Sequence, residues 1–166
     1  MGIFRIVAAL CVMLVVASCG PPSKFRTYRG PEVTQVLVSK SERKMWMLHH
    51  NKVLKSYDIA LGFAPEGHKQ FEGDGKTPEG LYYIDRRNPN SRFHLSVGIS
   101  YPNPADKAFA KSMGKEPGGD IFIHGKTGFN GDNKGDWTWG CIAVTDREME
   151  DIYAMLRDGT PIFIKP

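Results

Sequence analysis

Cysteine is scarce in this chain: three in 166 residues, at positions 11, 19 and 141. Two of them lie in or beside an apolar N-terminal run. The body of the protein therefore holds one thiol, and a disulfide framework is excluded. HExxH and CxxC spacings are missing as well, so His68, His94, His124 and Cys141 form no recognisable zinc motif. Long apolar stretches are few. Residues 6–17 are almost entirely apolar but fall short of the roughly 20 residues that a membrane span needs. The basic residues are scattered, without a patch or an aromatic–basic stripe, which argues against nucleic acid as a partner. No internal repeat and no second linker appear, so one domain is expected.

The N-terminus carries an address. A short cationic start (MGIFR) and the apolar run fit a secretory signal over residues 1–18. It ends in Val16-Ala17-Ser18-Cys19, which resembles the bacterial lipobox, where the cysteine is acylated and becomes the first mature residue. Cys19 is thus the expected lipidation site, against an ordinary signal peptide cut nearby or a membrane anchor. Gly20 follows it rather than an aspartate. By that resemblance the lipoprotein would face the periplasm from the outer membrane in a cell with two membranes. Removing residues 1–18 takes away only Arg5, leaving 21 basic against 18 acidic side chains, a mild excess that bears on solubility more than on partners. Residues 19–31, rich in proline, glycine and polar groups, read as a tether reaching about 40 Å when extended. Residues 32–166 are the domain.

Within the domain the signals are mainly β, with two short helices. Strands are expected over 33–38, 43–49, 53–61, 80–84, 93–100, 121–123, 141–144 and 161–165, the second and third forming a hairpin around His50-Asn51-Lys52. One helix spans 105–113, after Pro104 and before Gly114. A second begins at Thr145, where Glu148 completes a capping box, and Met149, Ile152, Tyr153 and Leu156 follow helical spacing up to Gly159. The loop 130–135 (NGDNKG) lacks the ligands of a calcium loop and reads as a turn.

Cys141 now needs a reason, since an unpaired thiol in an oxidising compartment is chemically exposed. Either it is a buried inert residue or it is a nucleophile. A nucleophilic thiol requires a base, because a free thiol is little ionised at neutral pH. Among five histidines, His49 and His50 are expected on opposite faces of a strand, at the surface, and His68 in a polar loop. His94 opens an apolar strand and is the rival. His124 ends the strand 121–123 and is followed by Gly125, which leaves room beside a rigidly aimed imidazole. Gly140 precedes the thiol. A glycine there lets the backbone N–H groups of Gly140 and Cys141 approach an oxyanion.

Together these residues resemble the L,D-transpeptidase catalytic-domain family of bacterial cell-wall enzymes, across about residues 33–166. The family's His-Gly, interval and Ser/Thr-x-Gly-Cys pattern reads here as Ile123-His124-Gly125, then Thr138-Trp139-Gly140-Cys141-Ile142. Thr77-Pro78-Glu79-Gly80 is similar to its Thr-Pro-x-Gly turn, and Gly62 closes a strand as in other members. The resemblance implies a mainly β sandwich or barrel domain, with Cys141 as nucleophile and His124 as general base. Gly125, Thr138, Trp139 and His94 would be candidate substrate contacts. The substrate would be a peptidoglycan tetrapeptide stem. Cys141 would attack the carbonyl of its third residue, release D-alanine and form a thioester, which an amine resolves as a 3→3 cross-link. No metal or organic cofactor is implied. Alternatives on the same scaffold are a hydrolase (L,D-carboxypeptidase or amidase) and a non-catalytic wall-binding lipoprotein.

Three features depart from the family pattern. The interval from His124 to Thr138 is short, at 13 residues. Trp139 stands where histidine is frequent, and Ala143 where Asn or Arg is frequent. Trp137 and Trp139 would share one face of an extended segment, either as an aromatic wall beside Cys141 or packed in the core.

Overall fold

The computed structural model describes residues 23–126 and 135–166. The expected leader, Cys19 and most of the turn expected over 130–135 lie outside the described residues. Among the described residues, eight strands and two helices follow in the order β1 (Gln35–Ser39), β2 (Lys44–His49), β3 (Lys52–Asp58), β4 (Gly80–Asn88), β5 (Ser96–Ile99), α1 (Pro104–Ser112), β6 (Phe122–His124), β7 (Ile142–Ala143), α2 (Asp146–Met155) and β8 (Pro161–Lys165). This is the mainly β, two-helix, single-domain architecture expected.

The strands form one sheet in the order β3-β2-β1-β8-β4-β5-β6-β7. Pairing is parallel for β1 with β8 and β6 with β7, and antiparallel elsewhere. Strand β4 serves both halves. Gly80 to Tyr83 pair with β8, and a register shift between Ile84 and Arg86 then turns the strand onto β5. A bulge bends a strand and increases its twist, so the sheet curls. It curls far enough to close: beyond the end of β3, Ala60 exchanges backbone hydrogen bonds with Ala143 of β7 (2.9 and 2.8 Å).

Closure explains where the expected third strand stops. It leaves β2 at Asp58 because residues 59–62 are claimed by the opposite edge, with Gly62 bridging Thr138. The inward faces are the apolar ones. Val36 and Val38, Met45 and Met47, Tyr82 and Ile84, and Ile162 and Ile164 are all buried at period two. Helix α2 lays Met149, Ile152 and Met155 against β5 and β6, which leaves β5 buried on every residue. Thr145 caps α2 through the Glu148 capping box. Helix α1 is capped one residue before Pro104, by Asn103 and Asp106.

Residues 24–26, within the stretch expected as a tether, contact the domain. Lys24 Nζ donates to Pro89 O (2.7 Å) and His94 O (3.1 Å), and Arg26 pairs with Glu150 and Asp151 (2.7 Å each). Phe25 packs at 6.2 Å from Tyr153. Two strand limits also move. Strand β4 runs on to Asn88, and β5 starts only at Ser96, because His94 takes a left-handed φ of 72° and Leu95 N turns back to Phe93 O.

Candidate active site

Cys141 precedes β7, and His124 ends β6. In this parallel pair Ile123 faces Ile142, so one residue back Phe122 faces Cys141. Side chains alternate along a strand, and Phe122 and His124 therefore share the face that Cys141 occupies. The structure confirms the proximity at the sulfur: Phe122 N–H donates to Sγ (3.4 Å), and Sγ–H donates to Asp120 O (3.5 Å). Cys141 and His124 line one cleft, with Asn90, Arg92, Phe93 and Phe122 around them.

The imidazole is fixed in tautomer and plane. Nδ1 lies 2.6 Å from Gly125 O, and a carbonyl only accepts, so Nδ1 carries the proton and Nε2 keeps its lone pair. Phe93 stacks on the ring (centroids 4.4 Å, 29°), and Trp137 meets it edge-on (5.7 Å, 68°). His124 is only 3% exposed. Burial lowers its pKa below the ordinary 6.5, partly offset by the Gly125 carbonyl. Burial also raises the Cys141 thiol, against the Phe122 N–H and with the Asp120 charge. Both shifts favour the neutral forms, thiol and imidazole.

The turn before Cys141 is held from behind. Gly140 has φ +124°, and a Cβ there would sit 2.5 Å from Lys76 O, so only glycine fits without displacement. Thr138 Oγ1 accepts from Gly140 N–H (3.1 Å) and donates to Cys141 O (2.7 Å). Of the two N–H groups expected at an oxyanion, Gly140's is therefore already engaged, and Cys141's is the remaining candidate. Thr77 Oγ1 accepts from Gly62 N–H (3.1 Å). The Thr-Pro-Glu-Gly turn and Gly62 thus back the turn before Cys141.

The candidate substrate contacts separate. Thr138 is buried and structural. A Cβ on Gly125 would clash with Asp146 Oδ1 and Phe93 O, so Gly125 serves close packing and orients His124. His94 opens no strand, and its Nε2–H donates to Glu150 Oε1 (3.0 Å), away from the thiol. Trp139 is 70% exposed, set edge-on to Phe63 (5.0 Å), and lines the cleft beside Cys141, whereas Trp137 packs on His124. The two tryptophans do not share a role. Ala143 is buried and pairs with His124 in the ladder. His49 and His50 pack edge to face at 4.5 Å rather than pointing apart, since His50 sits in a turn with φ 50°. His68 bridges Asp106 (3.1 Å) and Glu79 N–H (2.9 Å).

Several supporting residues carry no local sequence signal. Asp136 accepts from Arg43 (2.7 Å) and from Leu61 N–H (2.8 Å), tying the segment before Trp137 to the chain beyond β3. Buried Lys40 donates to Gly67 O, Thr77 O and Glu79. Phe93 and Asp120 complete the site's walls.

The curled β domain sets a glycine-preceded cysteine and a strand-end histidine on one face, the arrangement that the resemblance to L,D-transpeptidase catalytic domains implies. Residues 34–164 match the L,D-transpeptidase catalytic domain (YkuD), and the chain belongs to that family. It is 32% identical over 117 residues to the protein YafK of Escherichia coli (strain K12), covering 69% of this chain and 42% of that protein. The chain thus spans less than half the length of this relative. Among solved structures, the helical cell shape determining protein Pgp2 of Campylobacter jejuni superposes with a TM-score of 0.63 at 26% identity, over 88% of this chain and 52% of Pgp2. L,D-transpeptidase 1 of Mycobacterium tuberculosis, at 13% identity and a TM-score of 0.53 over 81% of this chain and 62% of that one, shares the fold.

Proposed function

We propose that this domain catalyses cysteine-dependent acyl transfer on peptidoglycan tetrapeptide stems. The observation that carries the reading is the placement of Cys141 and His124 on one sheet face, in one cleft, with Nε2 left free by the Nδ1–Gly125 hydrogen bond. Nε2 accepts the thiol proton as Sγ attacks the carbonyl of the third stem residue. The oxyanion that forms is met by backbone N–H, with Cys141's own as the candidate donor. The C–N bond then breaks, the imidazolium returns its proton to the departing D-alanine amine, and a thioester remains. An amine attacks that thioester, gives a proton to Nε2, and expels the thiolate, which takes the proton back. Water in place of the amine makes the same residues a hydrolase, an L,D-carboxypeptidase or amidase.

We further propose that Cys19 is lipidated and that the exported domain works at the periplasmic face of the outer membrane in a two-membrane cell. The lipobox-like Val16-Ala17-Ser18-Cys19 supports this. Mass spectrometry of purified tetrapeptide muropeptides after reaction, with and without added amine, tests the enzyme reading. The wild type should release D-alanine and acquire a carbapenem adduct on Cys141, and Cys141→Ala should do neither. A wild-type protein that does neither would leave only a wall-binding role.

A further inference from the structure

The thiol of Cys141 opens onto two arms of a cleft. One arm is lined by Lys69, Glu72 and Trp139, the other by Asn90, Arg92 and His124; Asp120 and Cys141 belong to both. Asp120 is held there by its backbone. Its φ is 54°, in the left-handed region that Asp and Asn tolerate, and its carbonyl accepts the Cys141 thiol. The carboxylate is left 91% exposed at the lip.

The charge at that lip is not balanced. Arg86 reaches Asp120 Oδ1 at 3.1 Å and Asp85 Oδ2 at 2.9 Å, and lies over the Phe122 ring at 4.5 Å. One guanidinium is thus shared by two carboxylates, and the trio carries a net negative charge. Lys69 is buried and paired with Asp74 (2.9 Å). Glu72 and Arg92 each reach only one arm.

We propose that the Asp120 carboxylate seats a primary ammonium group of the wall peptide beside the reacting sulfur. This rests on the acyl-transfer reading above. A 3→3 cross-link joins the third-residue carbonyl of one stem to an amine on the third residue of another. Every uncross-linked stem therefore carries a side-chain ammonium on the same residue as the carbonyl that Cys141 attacks, and the acceptor presents the same group to the thioester. A carboxylate favours the charged form. At the acceptor step the seated ammonium loses one proton to solvent, and the neutral nitrogen then attacks. Its next proton passes to His124 as the C–N bond forms and the C–S bond breaks.

The two sources separate experimentally with Asp120→Asn, which removes the charge but keeps a residue suited to φ 54° and the backbone carbonyl. Purified wild type and variant are given tetrapeptide muropeptides whose third-residue amine is free or acetylated, with and without a free D-amino acid. D-alanine release and product masses are followed. A donor seat predicts that D120N slows release from the free-amine donor roughly three- to tenfold and leaves the acetylated donor unchanged. An acceptor seat predicts unchanged release and a similar fall in the ratio of amine product to hydrolysis product. Both effects should shrink with added salt in the wild type. Unchanged release and unchanged partition, in a variant that melts like the wild type, would overturn the proposal. A wild type that releases no D-alanine and forms no carbapenem adduct would instead overturn the acyl-transfer reading, and the inference with it.

Discussion

At the scale of the residue, the proposed chemistry depends on two groups whose ionisation is pushed apart. The lowered His124 pKa and the raised Cys141 pKa share one leading cause, burial. The sign follows directly. Below its pKa the imidazole is already protonated and cannot take the thiol proton, so kcat/KM should rise with pH through an apparent pKa below 6.5. Alkylation of Cys141 by iodoacetamide should stay slow through neutrality and accelerate only where the thiol itself ionises. A fast alkylation plateau at pH 5 to 7 would show a resting thiolate–imidazolium pair and contradict this picture. Trp139 makes a different prediction. It is exposed at the cleft with one aromatic neighbour among the described residues, so Trp139→Ala should change stability by no more than about 0.5 kcal/mol, as at ordinary surface sites. If Trp139 contacts substrate, KM should rise several-fold with kcat nearly unchanged, since a contact made equally in ground and transition states affects binding alone. Steady-state kinetics on a muropeptide series would measure this.

At the scale of the element, the loops that back the cysteine matter more than the strands that carry it. Asp136 provides acceptors to Arg43 and to the N–H of Leu61, a fully buried residue, while Trp137 and Thr138 N–H both donate to Leu61 O (3.1 and 3.0 Å). Asp136→Ala should cost about 1–3 kcal/mol in urea unfolding, the range for a buried donor left without its partner. It should also lower kcat under the acyl-transfer reading, because the segment it anchors leads through Thr138 to Cys141. Asp136→Asn, which keeps an acceptor for Leu61, should cost less on both measures. Equal losses in the two variants would mean that the charge pair with Arg43 carries the effect. How much of this was legible in the chain depends on how local the physics is. The α2 cap and strand β8 were readable because a capping box and a period-two pattern act over a few residues. His124 and Cys141 were readable as a pattern, and their shared face follows from the parallel register. Asp136 with Arg43 was not, since 93 residues separate them and neither sits in a motif. The late start of β5 was hidden by its apolar run, which looks continuous until His94 turns left-handed to reach Glu150. The split between Trp137 and Trp139 arises in the Thr138–Gly140 turn, which an extended-segment reading cannot anticipate.

At the scale of the whole molecule, closure of the sheet and docking of the N-terminal segment together constrain where the site can work. The bulge in β4 curls the sheet until Ala60 meets Ala143, and that contact fixes β7 and hence Cys141 relative to the hairpin half of the domain. The segment carrying Lys24 and Arg26 lies across α2 and the loop that ends in Phe93, the residue stacked on His124. This changes the length of the proposed tether. With Lys24 already bonded to the domain, only four residues separate it from Cys19, and five virtual bonds span at most about 18 Å, not the roughly 40 Å of a free 19–31 segment. A lipid on Cys19 would then hold the α2 side of the domain close to its membrane and limit the depth of wall that the cleft reaches. A flexible Gly/Ser insert of 20 residues after Pro22 adds an r.m.s. reach of about 25 Å without touching the docked segment. Kinetics of the purified protein should be unchanged by the insert, while muropeptide composition in cells should shift as stems farther from the membrane become accessible. Lys24→Ala combined with Arg26→Ala should move composition in the same direction by freeing the docked stretch, with protease sensitivity of residues 23–31 reporting the release. Unaltered composition with the insert, at equal protein levels, would show that tether length does not govern substrate choice and would count against a positional role for the anchor.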